Sequence, residues 1–327
     1  MNGIAIVIVT HNSEDVILPC LDACLPYASE VIVVDNASSD DTLGRVRQRP
    51  AVHLIANREN RGFAAGVNQG IALTRQPLVL LLNPDAVLTS SLGALAVACN
   101  RPETGAAGGR LTGADGEFQQ GFSFRRFPRP LTLIFEVLGI NRILQSNPVN
   151  RRYRCLDYNG DQAADVEQPA GAFLMTRRDA WERLEGLDER FRPVWFEDVD
   201  YCKRMNELGL RIRYEPGATA THIGGHSARK LEWGVRELFW YGSLLEYAGK
   251  HFTRQPVRMV GVAVVGGACL RLVTGMFRFR SLEPFSIYAK VMRLAWRYVR
   301  DPASGSEVAS SGNSSRTLID QAQIHVL

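Results

Sequence analysis

The chain has 327 residues, 46% hydrophobic and 22% charged, with a formal net charge of +4. That length can bury a large core in one or two domains, and that composition excludes a disordered or fibrous chain. Six cysteines without a CxxC pair give no pattern for a zinc site or disulfide framework and fit a reducing cytoplasm.

The N-terminal apolar run 4–9 has no basic residue before it and stops at Thr10-His11-Asn12, unlike a signal peptide. Its β-branched continuity predicts a buried parallel strand. Asn12-Ser13-Glu14-Asp15 then opens a helix with capping residues. A second strand, 31–34, ends in Asp35-Asn36; a third, 52–55, ends near Asn57. A helix over 62–74 and a strand over 78–82 follow, and the strand ends in Asn83-Pro84-Asp85. Strands alternating with helices predict an α/β fold with a doubly wound, mainly parallel sheet. Ligands bind such sheets at the carboxyl ends of the strands, and here every end is polar. Thr10, Asn12, Asp35, Asn36, Asn57, Asn83 and Asp85 should therefore rim a nucleotide pocket.

Periodicity weakens over 113–167, where Phe122, Phe124, Arg125, Arg126 and Phe127 mix rings with cations; an insertion or lid is expected there. A strand over 168–176 and a helix over 178–184 come next, and Trp195-Phe196-Glu197-Asp198-Val199-Asp200 starts another helix. An amphipathic helix is expected over 228–250. The longest apolar stretch, 259–270, lies between Arg258 and Arg271 and at that length falls short of the ~20 residues of a membrane span. Between Arg254 and Arg300 nine Lys/Arg accompany one acid, Glu283, so this segment carries +8 and the remainder −4. Lipid headgroups or nucleic acid would suit it. As one helix, 285–300 sets Lys290, Arg293, Arg297 and Arg300 in a stripe beside Phe285, Tyr288, Met292, Ala295 and Trp296. That is either a helix lying in an anionic bilayer interface or one packed on protein. From 302 onward Ser, Gly and Ala predict a disordered tail.

Three clusters carry chemistry. Asn83-Pro84-Asp85 can be a tight turn, the commoner meaning, or can offer carboxylate oxygen to a hard cation. Glu197-Asp198 can simply stabilise a helix N-terminus, or can supply a base for a sugar hydroxyl beside the ring of Trp195. His222, followed by Gly224, Gly225, His226 and Ser227, can complete a metal shell, with Arg229 and Lys230 available to phosphate. Gly62, Gly66 and Gly70, with Arg61 and Asn68 beside them, match neither a dinucleotide fingerprint nor a phosphate-binding P-loop. They permit close helix packing, and they open a helix whose first amides can face phosphate.

Taken in order, the segments 9–12, 34–40, 60–70, 82–85, 171–175, 196–200 and 222–227 resemble the family 2 glycosyltransferases, nearest the bacterial rhamnosyltransferase-like subgroup. The resemblance spans about residues 1–230. It implies a GT-A fold, Rossmann-like, with a nucleoside-diphosphate sugar donor and Mg²⁺ or Mn²⁺. By that resemblance Thr10, Asn12, Asp35 and Asn36 hold the nucleoside, Arg61, Gly62, Asn68, Asn83, Arg229 and Lys230 serve the donor, and Asp85 and His222 bind metal. Asp198 is the catalytic base with Glu197 beside it, and Trp195, Gly171 and Ala172 face the acceptor. Asn83 departs from the first Asp of a strict DXD motif, which weakens the carboxylate hold on a metal.

The organisation this implies is a catalytic domain over 1–227, with a nucleotide-binding half (1–112) and an acceptor and metal half (113–227). A helical, basic region over 228–301 and a tail over 302–327 complete it. The expected reaction is inverting transfer, with dTDP-rhamnose the leading donor candidate. The expected acceptor is a lipid-linked saccharide or oligosaccharide of cell-surface polysaccharide assembly. No nucleic acid is involved, a homo-oligomer is possible, and the enzyme would work in the cytoplasm at the inner face of the membrane. A non-catalytic nucleotide- or sugar-binding module is the alternative, although both Asp85 and Asp198 are present. A sugar nucleotidyltransferase would carry a glycine-rich loop with Arg and Lys after the first strand, where this chain has Thr10-His11-Asn12-Ser13.

Overall fold

A computed structural model describes residues 3–225, 229–279 and 283–302. His226, Ser227 and the tail beyond Pro302 lie outside them. The chain divides into two compact units, Met1–Phe127 with Arg151–Lys230, and Pro128–Asn150 with Leu231–Leu327. Part of the segment expected as an insertion, 128–150, thus groups with the C-terminal helices.

The first unit is built on a nine-stranded sheet. Strands β1 (Ile4–Thr10), β2 (Glu30–Asp35), β3 (Val52–Ala56) and β4 (Leu78–Leu82) run parallel in the order β3-β2-β1-β4. The sheet continues through β10 (Phe173–Arg177), β6 (Thr104–Thr112), β11 (Arg211–His222) and β5 (Ala86–Leu88), with β8 (Ala164–Asp165) beside β11. β10 is antiparallel to both its neighbours, while β6 and β11 are parallel. The order of the strands reverses between β1 and β4, which opens a crevice at their carboxyl ends.

β1 reads as an unbroken apolar run because both its faces are covered. Ile4, Ile6 and Ile8 pack with α1 (Ile17–Cys24) and α4 (Gly93–Cys99), whereas Val7 and Val9 pack with α3 (Phe63–Ala72), α8 (Arg178–Arg183) and α9 (Glu197–Glu207). Each such fully buried side chain contributes about 1.5–3 kcal/mol. α3 lies unusually close to β1. A Cβ on Gly66 would sit 2.9 Å from Val9 Cγ1, and one on Gly70 would sit 2.6 Å from Val7 Cγ1. The packing meaning of these glycines is therefore real.

The expected strand over 168–176 is split. Gln168–Pro169 (β9) pairs with Phe124–Arg125 (β7) in a separate two-stranded sheet, and the chain turns at Gly171-Ala172 before β10. Pro169 has no amide to continue a ladder, and the Gly171 N–H is committed to Asp198.

The second unit contains α5 (Pro130–Val137), α6 (Ile140–Ile143), α10 (Trp233–His251), α11 (Arg254–Phe279) and α12 (Glu283–Arg300), and α7 (Pro148–Tyr153) bridges the boundary in sequence. Two sequence expectations change here. α12 packs part of its apolar face on protein, with Tyr288 and Ala295 4% and 0% exposed, and leaves Phe285 and Trp296 56% and 47% exposed. Tyr288 and Tyr298 donate to Glu237 and Glu246 of α10 at 3.2 and 3.0 Å, and Gly261 of α11 leaves room for Val299. The apolar stretch of α11 is also longer than it reads. Arg254–Thr274, 21 residues, is long and apolar enough to cross a membrane by length and composition, with 39% of its apolar window buried in the structure. Arg271 does not end it, because its guanidinium folds back onto the carbonyls of Val137 and Gly267.

Gly70→Val is expected to lower stability. Overpacking against Val7 and Val34 costs about 1–3 kcal/mol, above the ~1 kcal/mol at most that replacing a helical glycine returns. A denaturant midpoint equal to wild type would remove the close α3–β1 contact from the account.

Candidate active site

The site starts at the end of β4. Ala86 N–H donates to the Asn83 carbonyl at 3.1 Å, so Asn83-Pro84-Asp85 is indeed a turn. The turn delivers Asp85 to β5, which pairs with the end of β11 so that His222 lies opposite Ala86. Ile223 N–H donates to the Asp85 carbonyl at 3.3 Å, and His222 Nε2 lies 3.4 Å from Asp85 Oδ1. The turn reading therefore holds, and the same turn sets Asp85 beside His222. Asp85 and His222 are buried, at 4% and 1% exposure.

Gln119 sets the His222 ring. Its Nε2 donates to the His222 carbonyl at 2.7 Å, which points its Oε1 at His222 Nδ1, 3.3 Å away. Nε2 and the Asp85 carboxylate converge on the other side of the ring, with the Asn83 amide 3.5 Å from the same nitrogen. No group of three His, Cys, Asp or Glu side chains stands ready for a metal among the described residues. A magnesium-like ion needs only one or two protein groups when ligand phosphates and water complete its shell, so Asp85 and His222 fit one. Phe122 stacks on the imidazole, with centroids 5.1 Å apart and planes 16° apart.

The second carboxylate lies one loop away. Asn83 N–H donates to the Ala172 carbonyl at 3.0 Å, and Gly171 N–H donates to Asp198 Oδ2 at 2.9 Å. Gln168 Nε2 donates to the same oxygen at 3.2 Å, and Val199 N–H to Oδ1 at 2.8 Å. A Cβ at Gly171 would lie 2.9 Å from Asp198 Cβ, so only glycine lets this loop close on the acid. Gly171 and Ala172 thus hold Asp198 and Asn83 in place. Trp195 and Phe196, with φ of +81° and +70°, precede α9 in the left-handed region that ordinary side chains avoid. Such strain collects at functional sites.

Half-buried Asp198 has its pKa raised by burial, opposed by the Gly171 and Val199 amides and the charge of Arg125. Glu197 is raised much further, first by burial and then by repulsion from Asp198, and its buried Oε2 has no hydrogen-bond partner. Burial thus disfavours charge on both acids, and on Glu197 the more strongly. Asp200 is structural, paired with Arg204 at 2.7 Å.

The remaining expected residues fall into three places. Thr10, Asp35 and Asn36 are buried and bonded within the protein: Thr10 Oγ1 and Ser38 Oγ donate to Asp35 Oδ1, and Asn36 Nδ2 donates to the Gly62 carbonyl. They fold the loop after β2, where Asn12 Oδ1 accepts from Ser39 N–H at 2.7 Å. Gly62, at φ +88°, opens α3 against the Pro193 carbonyl, and Arg61 beside it is exposed. Lys230 reaches back to the Asn12 carbonyl at 2.6 Å and to Asp15 at 3.1 Å, while Arg229 caps the Gly224 carbonyl. Asn68 stands apart from these, clamping Leu187 by its backbone N–H and C=O at 3.0 and 2.9 Å.

The family described as "Glycosyl transferase family 2" matches residues 5–156. The N-acetylglucosaminyl-diphospho-decaprenol L-rhamnosyltransferase of Mycobacterium tuberculosis (strain CDC 1551 / Oshkosh) is 30% identical over 228 residues, 63% of this chain and 71% of that one. The chain is a family 2 glycosyltransferase. Rhamnosyltransferase WbbL of Escherichia coli (strain K12) is 24% identical to this glycosyltransferase over 263 residues, 72% of this chain and 91% of the relative. A solved mannosyltransferase, PcManGT from Pyrobaculum calidifontis in complex with GDP-Man and Mn²⁺, shares the fold at TM-score 0.50 and 17% identity, covering 91% of this chain and 87% of that one. The fold of the glycosyltransferase is accordingly of GT-A type.

Sequence reading missed Gln119, Gln168 and the site roles of Phe122 and Arg125. The signal for Phe122 and Arg125 was the mixed aromatic and basic run after 121, which has no period to interpret, and the two glutamines carried none.

Glu197→Gln is expected to shift the pH dependence of stability. A folded pKa above the unfolded value of about 4.3 means that wild type loses stability as pH rises through that range, and a glutamine cannot. The variant's melting temperature should match wild type below pH ~4 and exceed it at neutral pH. An advantage that grows toward acid would contradict a buried neutral Glu197.

Proposed function

We propose that the enzyme transfers a sugar, with inversion, from a nucleoside-diphosphate donor to a lipid-linked saccharide. What carries this reading is Asp198, a half-buried acid of raised pKa tied through Gly171 and Ala172 to the Asn83–Asp85 turn. Asp198 takes the proton of the acceptor hydroxyl as that oxygen bonds to the anomeric carbon. The bond from that carbon to the diphosphate breaks on the opposite side, and its electron pair leaves with the phosphate. Asp85 and His222 would hold Mg²⁺ or Mn²⁺, which supplies positive charge for the departing diphosphate. Arg229 and Lys230 assist from the exposed rim, and Trp195 offers its ring to the acceptor.

Rhamnose from dTDP-rhamnose is the donor we favour, because the M. tuberculosis and E. coli relatives are named as rhamnosyltransferases. The first name also includes a diphospho-decaprenol, which supports a lipid-linked acceptor in cell-surface polysaccharide assembly. Such an acceptor places the enzyme on the cytoplasmic face of the membrane, and the basic C-terminal segment suits anionic lipid.

Asp198→Asn should leave donor binding near wild type while turnover falls about 10²–10⁴-fold. Retention of more than half the turnover would remove the base assignment. Asp85→Ala and His222→Ala should each weaken Mn²⁺-dependent dTDP binding, and the double variant should lose little more than either one. Fully additive losses in calorimetric titration would speak against a shared ion.

A further inference from the structure

We infer that the second unit rests on anionic membrane through α11, with α12 supplying a cationic border. This moves the main apolar contact to α11, because Tyr288 and Ala295 of the α12 apolar face are buried against protein. On α11, Met259, Val262, Leu270 and Val273 are each 52–59% exposed. Spaced three, eight and three apart, they fall on one side of the helix, and Gly266 between them is on the same side. From Met259 to Val273 this stripe holds no charged residue and runs about 21 Å at 1.5 Å per residue. Water is a poor partner for a continuous apolar stripe of that length.

Charge selects the occupant. Lys290, Arg293, Arg297 and Arg300 on α12 are all exposed and form no ion pair among the described residues. The two helices pack on each other, Gly261 of α11 against Val299 of α12, so the exposed cations of one adjoin the helix that carries the exposed stripe. A second copy seated there would bring four cations against four. Anionic headgroups instead gain about fivefold in partitioning for each cation. Trp296, 47% exposed with the Arg300 guanidinium 5.8 Å from its ring centroid, is the aromatic and basic pair that suits a headgroup boundary. An apolar stripe of this kind enters only about 5–10 Å, to the boundary of headgroup and acyl chain. With 39% of its apolar window buried against protein, α11 has one side for protein and one for lipid, which suits a helix lying along the surface.

The inference depends on the lipid-linked acceptor for its purpose, whereas vesicles without acceptor separate its failure from failure of that reading. The test is co-sedimentation of the full chain with phosphatidylcholine vesicles, with and without phosphatidylglycerol. Wild type should bind the anionic vesicles and lose binding as salt rises. Val262→Asp with Leu270→Asp should cut that binding about tenfold or more, with circular dichroism and melting unchanged. Arg293→Glu with Arg297→Glu should abolish the preference for phosphatidylglycerol. Wild type that fails to bind, a double aspartate variant that binds as well as wild type, or resistance to alkaline carbonate extraction would each overturn the placement. So would loss of self-association, with vesicle binding kept, in the aspartate variant. Should that variant not fold, a fluorophore on exposed Cys269 should be quenched by lipid-borne quencher in anionic vesicles, and an unquenched probe would overturn the inference.

Discussion

Two backbone hydrogen bonds from one loop hold the site together. Gly171 gives its N–H to Asp198, and Ala172 takes the N–H of Asn83. Neighbouring peptides therefore set the spacing between an acid at the start of α9 and a turn at the end of β4. Either bond alone is worth only about 1 kcal/mol, but both are part-buried and constrained by β10 on one side. Replacing Gly171 by any other residue would push a Cβ into Asp198, so the loop cannot drift without moving the acid.

The same economy of parts explains the β5–β11 side. Three residues of β5 suffice because their pairing with β11 brings His222 beside Asp85, across more than a hundred positions of sequence. Gln119 and Phe122, both from the segment after β6, then fix the orientation of the ring by hydrogen bonding on its edge and stacking on its face. Such outer support is what gives a ligand its orientation.

Much of the nucleotide-binding half was legible in the sequence, because β1, β2 and β4 are buried on both faces and read as unbroken apolar runs. Asp85, Asp198 and His222 were legible because each closes a strand or opens a helix, where polar residues stand out. Residues 113–167 were not, since their order comes from contacts to distant strands: Gln119 to His222, Phe124 to Pro169, Phe127 to Glu167. Local periodicity carries no trace of those. The basic periodicity of α12 was visible, yet part of its apolar side proved to be inward packing, which the sequence of one amphipathic helix cannot distinguish from a lipid-facing side. The apolar length of α11 was hidden by Arg271, whose charge is turned back onto protein carbonyls.

Glu197 bears on the site's appetite for anions. Burial first, and then repulsion from Asp198, push its pKa well up, so negative charge on it is disfavoured. Like charges repel, and a carboxyl that resists ionising adds less to the repulsion an anionic ligand would meet. The side chain that looks like a spare carboxylate thus works as a silent one, and its value lies in the field it does not create.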